Sequence, residues 1–179
     1  AALTWQFVKW EVPNPFRGRP EVTAKAADEV FAKLLKNVYG SFRFRNESTL
    51  YDALATSIHG DLLSDVYVEI QQGLVMQEQG GAISRVGEVE IVNGEQVPLL
   101  EVTPNEKGNT GGFGYRSRWN VTGTVEHWGH IQERTNQYSA IFAVAPVDGS
   151  WKITEFDMQN AERVQFQTRV RSVSNQRDD

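Results

Sequence analysis

Apolar residues recur at spacings of three and four along the first part of the chain, which is the period of an amphipathic helix. Three such segments follow one another. The first begins after Thr23, a favourable N-cap, and ends near Gly40; the second begins at Ser48; the third begins at Asp61 and closes at Gly80. The apolar stripe of the first segment consists of Ala26, Val30, Phe31, Leu34, Leu35 and Val38. This part of the sequence therefore predicts three helices.

After residue 82 the period changes to two, which is typical of strands with one buried face. Two dipeptides, Asn93-Gly94 and Asp148-Gly149, have the composition of two-residue hairpin turns. The strand-like runs are 83–92, 96–103, 115–126, 134–145, 151–157 and 163–170. The sequence predicts an α+β fold, in which three N-terminal helices pack on a strongly curved antiparallel sheet of about six strands. Such a sheet forms a cone, and the open end of a cone is a usual place for a ligand.

The composition is that of one globular domain with peripheral segments. The 179 residues are 40% hydrophobic and 23% charged. Three of the six prolines fall within residues 12–20, so we expect residues 1–22 to form an extended arm. Residues 23–171 would form a single α+β cone domain and residues 172–179 a polar tail. Because the chain has no Cys, disulfides and thiol catalysis are excluded.

Charge is distributed unevenly along the chain. The net charge is −5, which argues against a nucleic-acid partner. Residues 47–90 carry eight acidic residues and one basic residue, whereas residues 23–46 carry five basic and two acidic residues. The acidic stretch is either a solvated helix face or a docking surface for a basic partner.

The N-terminal segment is aromatic and nearly uncharged. Trp5, Phe7 and Trp10 suit the headgroup level of a membrane, with a spanning helix upstream of Ala1; alternatively, they form an arm packed on the domain. The chain begins with Ala rather than Met and shows no signal-peptide pattern. We therefore expect a periplasmic or otherwise extracytoplasmic domain with a membrane anchor, and a cytoplasmic location stays open as the alternative.

The order of elements, and the ending Gly149-Ser150-Trp151-Lys152-Ile153, resemble the nuclear transport factor 2-like superfamily, which includes polyketide-cyclase-like and steroid-isomerase-like proteins. The runs 118–130 and 134–138 also resemble extracytoplasmic domains of bacterial membrane proteins. The resemblance covers about residues 23–170 and implies a cone-like fold with a ligand pocket. In the enzymes of this superfamily, an Asp, sometimes with His or Tyr, moves a proton beside a carbonyl group.

The candidate catalytic residues are His127, Asp157 and Tyr138. Strand parity places His127 on the same side as the apolar residues Trp119 and Val125, where a buried neutral imidazole could act as a general base. Asp157 would be its acidic partner and Tyr138 a hydrogen-bond donor. The candidate ligand-binding residues are Trp128, His130, Arg134 and Asn136.

His127 and His130 lie three residues apart, a spacing that would let both rings reach one metal ion on a turn, with Glu126 or Glu133 completing the shell. No His-x-x-x-His or His-Glu-x-x-His pattern accompanies them, so we favour a hairpin corner and predict no metal and no cofactor. The glycine-rich segment 107–114 lacks both a dinucleotide fingerprint and a P-loop spacing.

Two functions follow from these patterns. The first is a non-enzymatic domain of a bacterial envelope protein that binds a small molecule or a protein partner. The second is a small cyclase- or isomerase-type enzyme that uses the pocket Asp and His. A homodimer formed through an outward sheet face with Ile141 and Ala143 is a further expectation.

Overall fold

The computed structural model describes residues 22–79, 82–99, 111–127 and 130–167. The predicted tail, and the predicted arm apart from Val22, lie outside these residues. Within the described ranges, helix α1 spans Ala24–Ser41, α2 Glu47–Ala55 and α3 Asp61–Glu78. The strands are β1 Ile83–Val97, β2 Phe113–His127, β3 His130–Val147 and β4 Ser150–Gln167. They form one antiparallel sheet in the order β1-β2-β3-β4, which is curved but not closed.

The α+β class and the helix layer agree with the sequence prediction, but the described sheet has four long strands and not six. Asn93-Gly94 is not a hairpin turn, because β1 continues through it with a bulge between Ile91 and Asn93. The glycine is needed for close packing: a Cβ atom at Gly94 would lie 2.8 Å from ring carbons of Tyr115. Asp148-Gly149 is the predicted turn, with positive φ at both residues.

The two predicted C-terminal strands are a single strand, β4. The mostly polar residues 158–162, which separate the two predicted strands, continue the pairing with β3, and a bulge at Gln159 absorbs the irregular register. β4 is an edge strand, and polar residues are tolerated there because, along these residues, the edge that does not pair with β3 is open to solvent.

Helix starts follow the capping signals in the sequence. The Thr23 hydroxyl accepts a hydrogen bond from the Ala26 amide, as predicted. The second helix begins slightly earlier than predicted, because the Asn46 side chain, and not Ser48, accepts from the Thr49 amide. Among the helices described, none is both long and apolar enough to cross a membrane.

Helix α1 is attached to the sheet by aromatic packing. Phe31 is completely buried, and its ring centroid lies 4.3 Å from that of Tyr115 on β2 and 4.8 Å from that of Phe142 on β3. The neighbouring Leu34 and Leu35 are also buried in this core. Burial of three large apolar side chains contributes several kcal/mol, so this contact fixes where α1 crosses the sheet.

The segment between α2 and α3 is attached to the first residues of β4. Ile58 and Ile153 form a short parallel bridge, in which the Ile153 amide donates to the Ser57 carbonyl at 2.8 Å and the His59 amide donates to the Ile153 carbonyl at 3.0 Å. The Lys152 ammonium donates to the Ala55 carbonyl at 2.7 Å, at the C-terminal end of α2. The Trp-Lys-Ile sequence therefore joins the helix layer to the sheet.

The sheet is longer than the helices that cover it. Strand β3 has 18 residues, which span about 60 Å, whereas the 18 residues of α1 span about 27 Å. The buried residues of β2 and β3 accordingly lie between Phe113 and Val121 and between Ala140 and Val144. Beyond them, the helix-facing side of the sheet is only partly covered.

The outer face of the sheet does not present the apolar surface that the homodimer prediction used. Ile141 and Ala143 point to this face but are 8% and 1% exposed. Further along, polar side chains pair across the strands: Thr122 with Thr135 at 2.9 Å, and Gln137 with Asn120 at 3.0 Å. The outward face at Ile141 and Ala143 is thus buried and not exposed, and the homodimer itself stays a prediction.

Substituting Tyr115 with Phe will destabilise the fold by about 1–2 kcal/mol, because the buried Tyr115 hydroxyl donates to the Asp28 carboxylate at 2.7 Å while its ring would keep packing on Phe31. Urea unfolding measures this loss. Tyr51→Phe is the matched control: Tyr51 is 41% exposed, and its change should stay within about 0.5 kcal/mol. If Asp28→Asn destabilises Tyr115→Phe as much as it destabilises the wild type, the two groups are not coupled.

Candidate functional site

A groove of about 1000 Å³ lies between the C-terminal half of α1, the end of α2 and strand β1. Its floor is formed by the side chains Val86, Val89 and Ile91, which share the helix-facing side of the sheet with Trp119 and Val121. We call this the α1–β1 groove. The groove exists because α1 ends above β1, whereas the sheet continues beyond the end of the helix.

The helix side of the groove carries positive charge. Lys36 lies in the last two turns of α1 and Arg43 just after the helix ends, and both are exposed and line the groove. On the strand side the groove is lined by Glu88, which is also exposed. Phe44, 42% exposed, adds apolar surface at the rim. An apolar floor beside two cations suits an amphipathic ligand with a negative group.

Tyr39 lines the groove and attaches this part of α1 to the sheet. Its hydroxyl accepts a hydrogen bond from the indole of the buried Trp119 at 2.9 Å. Burial raises the pKa of Tyr39 to about 12; the Trp119 hydrogen bond lowers the pKa, and the nearby Tyr138 phenol raises it further. The phenol is therefore neutral at physiological pH.

Tyr138 and Asn136, two of the predicted site residues, lie beside this cluster. The Tyr138 ring stacks on Trp119 with centroids 5.6 Å apart, and its hydroxyl accepts from the Asn136 amide at 3.4 Å. Asn136 pairs with Val121, which pairs with Val89 on the groove floor, so Asn136 is two strands or roughly 10 Å from that floor. Neither Tyr138 nor Asn136 lines the groove; they contact the Trp119 cluster that borders its core side.

Arg134 lies on the same side of β3 as Asn136, one step further from the helices. It is half-buried, and its guanidinium donates to Gln132 at 2.7 Å. His130 lies at the start of β3 and is exposed. Trp128 falls outside the described residues. The predicted ligand set thus extends along β3, away from the groove.

His127 is the last residue of β2 and pairs directly with His130, so the two histidines frame the predicted hairpin corner. The expectation that His127 would be buried was wrong, because it is exposed. The parity argument itself holds: His127 lies on the same side as Trp119 and Val121. The helix layer ends before it reaches this part of the sheet, so the side that is core at Trp119 is open at His127.

Asp157 is not near His127. It is exposed, accepts from Gln159 at 2.6 Å, and pairs with Ile141 on β3. His127 pairs with His130, and the eleven-residue interval from His130 to Ile141 corresponds to roughly 36 Å of strand. A proton-transfer pair needs direct contact or one bridging water. The structure does not bring His127, Asp157 and Tyr138 together as one site.

The histidine corner also shows no metal site among the described residues, where no three His, Asp or Glu side chains converge. Glu126, a candidate ligand at the sequence level, instead forms an ion pair with Arg85 at 3.0 Å.

Sequence reasoning missed the groove residues Lys36, Tyr39 and Arg43. The available signal was their position in the sequence: Tyr39 continues the apolar stripe from Leu35 by one helical turn, Lys36 precedes it on the helix, and Arg43 follows the helix end. What the sequence could not supply was the strand opposite them, because α1 and β1 are about fifty residues apart in the chain.

Alkaline pH will weaken the fold through Tyr39. Its folded-state pKa lies above the unfolded value of about 10, so its stabilising contribution is complete below pH 10 and is lost as the pH rises from about 10 through about 12. Tyr39→Phe should lower stability at neutral pH, through loss of the Trp119 hydrogen bond, and should flatten this alkaline decline. Urea midpoints measured across this pH range test it; parallel curves for the two proteins would contradict it.

Comparisons with known proteins give limited similarity. No protein-family profile and no curated protein matches the chain. Among solved structures, the intermembrane-space region of the chloroplast protein ARC6 is similar, with 13% identity and a TM-score of 0.47; the match covers 78% of this chain and 98% of that chain. The α+β sheet is consistent with the resemblance that the sequence indicated, but membership of the nuclear transport factor 2-like superfamily is not confirmed.

Proposed function

We propose that this chain is a non-enzymatic binding domain of a bacterial envelope protein and that the α1–β1 groove receives its ligand or partner. The observation that carries the proposal is the groove itself: about 1000 Å³ with an apolar floor and two cations on one rim. The residues predicted for catalysis lie elsewhere, since none of His127, Asp157 and Tyr138 lines the groove.

The groove supports binding of an amphipathic molecule with a negatively charged group. Val86, Val89 and Ile91 are half-buried, so a ligand chain that covers them removes further apolar surface from water, at about 25 cal/mol per Å². Lys36 and Arg43 are solvated at the rim and can contact a carboxylate without being buried. Such contacts add modest affinity and favour anions over neutral molecules.

The envelope location rests on the aromatic N-terminal residues Trp5, Phe7 and Trp10, a composition typical of the membrane–water interface. The binding proposal does not depend on it, since every groove residue lies within the described domain.

Decanoate, an aliphatic carboxylate, will bind this protein more tightly than decanol, because both chains can cover the apolar floor but only the carboxylate can contact Lys36 and Arg43. Reversing both cations, with Lys36→Glu and Arg43→Glu, should weaken decanoate binding about tenfold and leave decanol binding nearly unchanged. Calorimetric titration, or displacement of a fluorescent fatty acid, measures both.

The control is the double variant Lys25→Glu, Lys33→Glu. It changes the net charge by the same amount, both residues lie on α1 as Lys36 does, and neither lines the groove. Equal weakening in both double variants would mean that the total charge and not the groove attracts the anion. If decanoate and decanol both fail to bind the wild type, the proposed function is wrong.

A further inference from the structure

The strand wall of the groove exposes backbone as well as side chains. Successive strand residues point to opposite faces, yet Val86, Gly87, Glu88 and Val89 all line the groove in succession. Gly87 is the bulged residue between Val86 and Glu88, so at this point the groove reaches the outer edge of β1 as well as its helix-facing side. Strand β1 is the first strand of the sheet, and among the described residues no strand pairs with its outer edge.

The regular part of this edge is short. Bulges interrupt β1 between Val86 and Glu88 and again between Ile91 and Asn93. Between them, the segment Glu88–Ile91 keeps an unbroken register with β2. Alternate residues of this segment turn their N–H and C=O groups away from β2, where an added strand could pair with them. The bulges limit such pairing to about four residues.

The charges beside this segment differ between its two sides. On the helix-facing side are Lys36 and Arg43, both at the groove rim. On the outer side, Glu88 and Glu90 pair with Thr122 and Asn120 of the wet sheet face, and both acids are exposed. A strand added here alternates its own side chains between these two environments. Charge complementarity therefore favours an added strand with acidic residues at the positions that face the helices and basic residues at the alternate positions that face outward.

We infer that the ligand of the α1–β1 groove is an extended peptide segment that pairs with Glu88–Ile91 as an additional strand, with acidic side chains towards Lys36 and Arg43 and basic side chains towards Glu88 and Glu90. This inference rests on the proposed function, because it names the chemistry of the partner for the same groove. An apolar residue between the two acidic positions would lie over Val89 and Ile91.

The test uses the full chain and four short peptides with threonine at both ends. The first has the core Glu-Lys-Leu-Lys-Glu, which places acids and Leu on one side and bases on the other. The second, Lys-Glu-Leu-Glu-Lys, has the same composition and the opposite arrangement. The third and fourth repeat the first sequence with alternate backbone amides N-methylated, one peptide for each of the two phases. Alternate amides of a strand point to opposite edges, so one phase blocks the hydrogen bonds to β1 and the other leaves them intact.

We expect the first peptide to bind about tenfold more tightly than the second, and N-methylation of the phase that faces β1 to abolish binding while the other phase keeps it. Amide chemical shifts and hydrogen-exchange protection should change at Glu88–Ile91. The Lys36→Glu, Arg43→Glu variant should lose the preference for the first peptide, while Lys25→Glu, Lys33→Glu should keep it.

Equal binding of the first and second peptides, or undiminished binding of both N-methylated peptides, would overturn the inference. Decanoate separates this failure from that of the proposed function. If decanoate binds in the groove and no peptide does, the groove is a ligand site and the strand inference is wrong. If neither binds, both proposals are wrong.

Discussion

Phe31 is the residue on which the arrangement of the two layers depends. Its ring lies between Tyr115 of β2 and Phe142 of β3 with no exposed surface, so α1 can cross the sheet at only one place. Core substitutions of this size typically cost about 3–5 kcal/mol, a large part of the stability of a small domain. Because α1 is fixed by its N-terminal half, its C-terminal half and the groove cations are held above β1. The position of the candidate site is thus a consequence of a contact that is not part of it.

The second attachment, at Ser57–Ile153, complements the first. Two backbone hydrogen bonds and the Lys152 contact with the end of α2 bring the helix layer to the start of β4. They also satisfy backbone groups on an edge that would otherwise be open to other chains. The two edges of the sheet therefore differ. The segment between α2 and α3 covers β4 where that strand begins, whereas β1 borders a groove.

Most of the helix layer could be predicted from the sequence, because the signals are local. Thr23 and the Phe31–Leu34–Leu35 stripe define α1 without reference to other parts of the chain. The sheet was predicted less well at Asn93-Gly94, where the local turn preference is overridden by Tyr115, whose ring needs the space that glycine leaves. The same limit applies to the site. Parity correctly oriented His127, but whether its side of the sheet is buried depends on the length of a helix a hundred residues earlier in the chain.

The excess length of the sheet over the helices has a consequence for how the molecule opens. On β3, the helix-facing positions are apolar from Ala140 to Val144 and polar at Gln132, Arg134 and Asn136, so this end of the ribbon is maintained by pairing between strands with little apolar burial beneath it. Regions with sparse apolar contacts open at a lower free energy than the core. The pairing between β2 and β3 near His127 and His130 should therefore open and re-form many times while the Phe31 core stays intact. Local opening at this end of the sheet would then occur without unfolding of the domain.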